Sequence, residues 1–301
     1  MMQPLRFTLR LNALTCAAFG LLFVFASKAT SQFLGGFPEI WLRVVGALLV
    51  LHSVHLVWAS IRRPIRHLEV YYFSAGDLLW FLASLYLLLA PGLITTTSGA
   101  ILTIVVGVIV ALIGLAQLWT YAEATGAGLP SLVFEKRPEH PDYLPADLSR
   151  LAALGHSWLG IKTWVKYWLF ALNGAFLAAF YFWPSDIAKV SLIAYLATMP
   201  LLLAIMIVER GLTRLLGVGH LITWTPLVVY LSGRLWSDAF APQLSLDSNG
   251  PLYLYTATLL GFVVVCLAFD IYDLVRWIGG ARSRLGSMTE MNLRQKNEAI
   301  A

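Results

Sequence analysis

Charge is what this sequence has least of. Asp, Glu, Lys and Arg make up 12% of its 301 residues, about half the share of a soluble domain. That leaves too little polar surface to coat a water-soluble fold of this length. A mean hydropathy of +0.75 agrees, and the class is an all-α polytopic membrane protein. Cysteine is nearly absent too. Cys16 and Cys266 lie in separate apolar runs and neither belongs to a CxxC, which excludes a disulfide framework and a dithiol redox site. There is no G-x-S-x-G nucleophile elbow and no phosphate-cradling glycine loop. His52-x-x-His55 is a single histidine pair, whereas a di-iron membrane oxidase needs several to fill two metal shells. A haem held between spans would need a facing histidine at matched depth, for which His220 is the one candidate, while His140 and His156 have no ligand spacing. The chain is therefore not read as an enzyme, and neither cofactor nor metal is expected.

What the sequence does have is long apolar runs, and there are eight. The last, about Leu252–Trp277, is uncharged from Thr256 to Phe269 and is followed by Arg276, Arg282 and Arg284. About 20 apolar residues cross the hydrocarbon at 1.5 Å per residue, so this run spans a bilayer with its basic end in the cytoplasm. Counting along the chain, the others are about Phe7–Ser27, Ile40–Ser60, Val70–Ala90, Gly99–Tyr121, Trp164–Trp183, Ala188–Val208 and Val218–Leu235. Ser27-Lys28-Ala29 faintly resembles a signal-peptidase site. Lys28 beside it and the length of the apolar run favour a retained helix. Pro226 should kink the seventh span without abolishing it.

The long polar connection, residues 122–163, contains Pro138, Pro141 and Pro145, which rule out a continuous helix there. After Pro145, Leu148, Leu151, Leu154, Trp158 and Leu159 recur at helical spacing, as expected for a short amphipathic helix on the cytoplasmic membrane surface or for a solvated linker helix. The layout is thus two consecutive four-helix halves, residues 1–121 and 164–278, with a disordered tail at 279–301. Both termini are expected in the cytoplasm. On that topology 17 of the 21 Lys and Arg residues fall inside; only Lys28, Arg43, Lys189 and Arg234 fall outside. The net charge of +5 is accordingly read as an orientation signal and not as a nucleic-acid surface. The expected partners are the lipid bilayer and either another membrane protein or a second copy of the chain. The expected location is a bacterial inner membrane.

Polar residues inside the spans are where chemistry can reside. Asn12, His52, His55, Asp77 and Gln117 all count to within a few turns of the cytoplasmic end of their spans. His52 and His55 share a helix face, and Asp77 on the next span is expected to pair with His55. In the second half, His220, Asp270 and Asp273 lie near inner ends, and Asp273 could pair with Arg276 one turn on. Two readings follow. One is a carrier or ligand-binding protein that uses these layers for a proton, ion or small solute. The other is a structural or accessory subunit in which the same residues hold helices together.

Overall fold

The computed structural model describes residues 2–90, 92–125 and 150–285 of the chain. Among these, ten α-helices and two short 3-10 helices account for the regular structure and no strand occurs. Eight helical segments are long and apolar enough to cross a membrane, so the protein is a multi-pass membrane protein. Residues 126–149 of the expected connection 122–163, and most of the expected tail, 286–301, lie outside the described residues.

The chain divides into two compact units, residues 1–127 and 128–301. In the first, α1 (Gln3–Phe25) is followed after a break at Ala26 by the short α2 (Ser27–Leu34). Then come α3 (Glu39–Ile61), α4 (His67–Leu89) and α5 (Thr97–Thr125). Helix α1 turns Leu5, Leu9, Asn12, Ala13, Cys16 and Gly20 inward at helical spacing, and leaves Phe7, Leu14, Leu21 and Phe25 exposed, as lipid-facing residues should be.

Glycine decides which helices pair. A Cβ on Gly20 would sit 2.9 Å from the Gly46 carbonyl oxygen, and one on Gly46 would sit 2.8 Å from that of Gly20, so α1 and α3 meet backbone to backbone. On α5, a Cβ on Gly114 would meet Asp77 Cβ at 2.7 Å, and Gly107 faces Ser84, which seats α5 against α4. Helices α1 with α3, and α4 with α5, are therefore the tight pairs, joined by contact of α1 with α5. Helices α3 and α4 are consecutive in sequence but touch chiefly at one end, where His52 and His55 meet Tyr72 and Phe73. At that end Arg6 donates to the carbonyl oxygens of Ser60 and Arg62, tying the start of α1 to the end of α3. At the other, α2 stops at Gly35, whose φ of +96° suits a residue without Cβ. Thr95 bonds to Leu34 and Gly35 there and anchors α2 to the turn before α5.

The second unit contains α6 (Arg150–Gly160), α7 (Thr163–Leu177) with a 3-10 turn at Ala178–Phe182, α8 (Asp186–Glu209), α9 (Gly217–Trp236) and α10 (Leu246–Ile278). Its core gathers Phe176, Ile187, Trp224, Leu227, Leu231 and Leu259. Interhelical bonds join α7 to α8 through Tyr195 and Asn173, and α8 to α9 through Thr198 and Thr223 at 2.6 Å. Pro226 lies inside α9, which runs on to Trp236 as one helix, while α10 carries a non-helical residue at Asn249. Beyond α10, the Leu285 amide donates to Leu212, and Ser157 on α6 bonds to the Leu285 carbonyl oxygen.

Candidate functional site

In the first unit the polar residues expected to share a layer do share one, with a different set of partners. Asn12 Nδ2 donates to both carboxylate oxygens of Asp77, at 3.1 and 2.8 Å, and Gln117 Nε2 donates to Asp77 Oδ2 at 2.7 Å. One carboxylate thus joins α1, α4 and α5. Asn12 and Gln117 are fully buried and Asp77 is 4% exposed. The Cys16 thiol, one turn after Asn12, lies 3.5 Å from Asn12 Oδ1.

The expected Asp77–His55 pair is not what forms. His55 Nε2 instead lies 3.6 Å from Glu69 Oε1, which also takes Arg62 Nη1 at 2.6 Å. The reason is the packing just described. Asp77 faces α1 and α5, where Gly114 and Asn12 meet it, whereas α3 reaches α4 chiefly near Glu69, Tyr72 and Phe73. Sequence reading singled out neither Glu69 nor Cys16 as partners in this layer. The signal for Cys16 was its position four residues after Asn12.

His52, His55 and Asp77 nevertheless line one pocket of about 660 Å³ with Cys16, Tyr72 and Trp80. Asn12 and Gln117 stand behind Asp77 and fix its orientation. Next to it is a second pocket, about 690 Å³, lined almost wholly by apolar side chains of α1, α2, α3, α4 and α5. The two share Phe19, Val45, Trp80 and Val106 on their walls, so they form one groove with a polar and an apolar end. It lies between the separated α3 and α4 and is floored by α1 and α5. Ligand pockets generally measure about 300–1,000 Å³ and combine apolar walls with a few placed polar groups, and each half of this groove fits that description.

In the second unit, His220 on α9 and Asp270 on α10, a pair that sequence reading did not anticipate, meet with Nδ1 to Oδ2 at 3.0 Å. Cys266 Sγ is 3.6 Å from the same oxygen. Asp273 lies 3.3 Å from Arg214 Nε, while Arg276 lies over the Tyr272 ring, so the anticipated bond along the helix from Asp273 to Arg276 gives way to one between segments. The donors among the described residues that could hold a metal are His220, Cys266 and Asp270. Comparison with protein-family models, with curated proteins and with solved structures returns no match to this chain.

Proposed function

We propose that the protein is a ligand-binding membrane protein or carrier whose N-terminal bundle takes a small bilayer-dissolved solute into the groove between α3 and α4. The observation that carries this reading is a buried carboxylate, Asp77, placed in the wall of a pocket that continues into an apolar one. A carboxylate without a cationic partner is expensive at membrane depth even when hydrogen-bonded, and such residues mark functional sites by default. Asp77 accepts hydrogen bonds, and His52 on the wall of the same pocket can donate or accept, so the favoured head group carries a hydroxyl or another neutral donor. Glu69 near the same end disfavours an anion, although Arg62 offsets it. The second reading is an accessory subunit. It is favoured by the three bonds from Asn12 and Gln117, which suffice to make Asp77 a tie between helices.

A photolabelling experiment separates the two. The full chain in phosphatidylcholine nanodiscs is exposed to a diazirine-bearing long-chain alcohol, with the fatty acid of the same chain as comparison. Saturable labelling by the alcohol at peptides containing Val45, Trp80 or Val106 is expected, with weaker labelling by the acid. Asp77→Asn should reduce it, and Val45→Trp, which blocks the neck of the groove, should abolish it. Equal, unsaturable labelling by both probes would leave the accessory-subunit reading.

The topology belongs to the same proposal: both termini lie in the cytoplasm, a reading supported by the distribution of Lys and Arg. Ser248→Cys should react with an impermeant maleimide from outside, and Ser131→Cys only after permeabilisation. The opposite pattern would invert the orientation.

A further inference from the structure

The second unit holds a cluster that the groove does not use. Cys266 and Asp270 lie one turn apart on α10, and His220 reaches them from the first turns of α9. The two helices can approach because residue 217 is glycine: a Cβ there would sit 2.8 Å from Asp270 Cβ. The His220 ring stacks on Trp224, with centroids 4.2 Å apart, which fixes its plane. One atom from each of the three side chains lies within 4.8 Å of the others.

We propose that His220, Cys266 and Asp270 form a binding site for a thiophilic divalent transition metal of the zinc class, with one coordination position open. Zinc–ligand distances of about 2.0–2.3 Å at tetrahedral angles place nitrogen and oxygen donors about 3.4 Å apart and sulfur and oxygen about 3.6 Å apart. The corresponding separations here are 3.0 and 3.6 Å. These two pairs would need shifts of only a few tenths of an ångström to hold an ion, while the third, His220 with Cys266, lies within 4.8 Å and would settle at about 3.6 Å. The thiol selects against magnesium and calcium, which take oxygen donors. Charge balance also favours a divalent ion. A thiolate, a carboxylate and a neutral imidazole sum to two negative charges, so the loaded site is neutral where an uncompensated charge would be costly. On binding, the Sγ–H bond is replaced by an Sγ–metal bond and its proton leaves to solvent. Imidazole binds through the Nδ1 lone pair with its proton on Nε2, so affinity must rise with pH.

The test uses the full chain, purified without a histidine tag, stripped with chelator and titrated with Co²⁺. We expect a thiolate-to-cobalt charge-transfer band saturating at about one ion per chain. Zn²⁺ should abolish the band and Mg²⁺ should not. Cys266→Ser should remove it, and His220→Ala should weaken binding by more than about tenfold, the smaller loss seen when only outer-sphere partners are removed. Absence of the band at saturating Co²⁺, its survival in Cys266→Ser, or displacement by Mg²⁺ would each overturn the proposal. Wild-type protein decides the matter even if those variants do not fold. Zn²⁺ should slow alkylation of Cys266 but not of Cys16, as read by mass spectrometry, and equal rates with and without Zn²⁺ would also refute the site.

Discussion

Replacing Asp77 by leucine should destabilise the N-terminal bundle by about 2–4 kcal/mol, among the largest single effects in that unit. No cavity is the cause, since leucine has as many side-chain heavy atoms as aspartate, and its bulkier methyls can only add to the cost. The substitution removes the shared acceptor of Asn12 Nδ2 and Gln117 Nε2 and leaves two buried amides without it, at about 1–3 kcal/mol each by the usual cost of an unsatisfied group. Interhelical hydrogen bonds in membranes average only about 0.6 kcal/mol, because a chain unfolded within the bilayer finds other partners. Three such bonds converging on one residue still sum to about 2 kcal/mol on that scale, so both estimates set the same lower bound. Asp77→Asn should cost less than about 1 kcal/mol. Gln117 Oε1 has no hydrogen-bond partner among the described residues, so a flip of that amide would accept from the new NH₂ group. The pair of variants therefore separates loss of the bond from loss of the charge. Steric-trapping measurements in bicelles would read both, and an Asp77→Leu variant within about 0.5 kcal/mol of the parent would refute the three-helix tie.

The eight spans were legible because length and hydropathy alone decide whether a helix can cross a bilayer, and those are local properties. Depth was legible for the same reason. Counting residues from the basic ends brought Asn12, Asp77 and Gln117 to one level, and the structure brings them into contact. The partner of each residue was not legible. Expecting Asp77 to face His55 assumed that helices consecutive in sequence are neighbours in space, the usual tendency. Here α3 packs on α1 and α4 on α5, so that assumption failed at the one junction that mattered.

The glycines that caused the failure were in the sequence all along. Gly20, Gly46, Gly107 and Gly114 sit in uniformly apolar helices, where hydropathy gives no hint that they select the packing face. The break at Ala26 was equally hidden, since no proline marks it. The cysteines follow the same pattern. Cys16 and Cys266 read as fillers of apolar runs, yet each lies four residues from a polar side chain, Asn12 or Asp270, and shares its helix face. That spacing was the available signal for the His220–Cys266–Asp270 cluster. What it could not supply was the approach of α9, which depends on Gly217.

Enlarging Gly46 should be as damaging as deleting the Asp77 carboxylate, by an unrelated route. Any Cβ at residue 46 meets the Gly20 carbonyl oxygen at 2.8 Å, Phe23 Cβ at 2.9 Å and a Val24 methyl at 3.0 Å. The first of these atoms is backbone and cannot rotate aside, so α1 and α3 must separate. Over-packing of this kind costs about 1–3 kcal/mol and sometimes more; Gly46→Leu belongs at about 3 kcal/mol, with Gly46→Ala at the lower end. Without water to drive helices together, close backbone approach is itself a main source of affinity in the bilayer, so nothing nearby compensates. Gly261 supplies the control. A Cβ there meets nothing within 4 Å among the described residues, so Gly261→Ala should stabilise its helix by about 0.8–1 kcal/mol through propensity alone. The Gly46 effect should also reach the groove, because α3 carries Val45, His52 and His55 on its wall. Displacing that helix should change photolabelling by the long-chain alcohol, while Gly261→Ala should leave it unchanged. A Gly46→Leu protein with parental stability and parental labelling would mean that α1 and α3 do not meet at this pair of glycines.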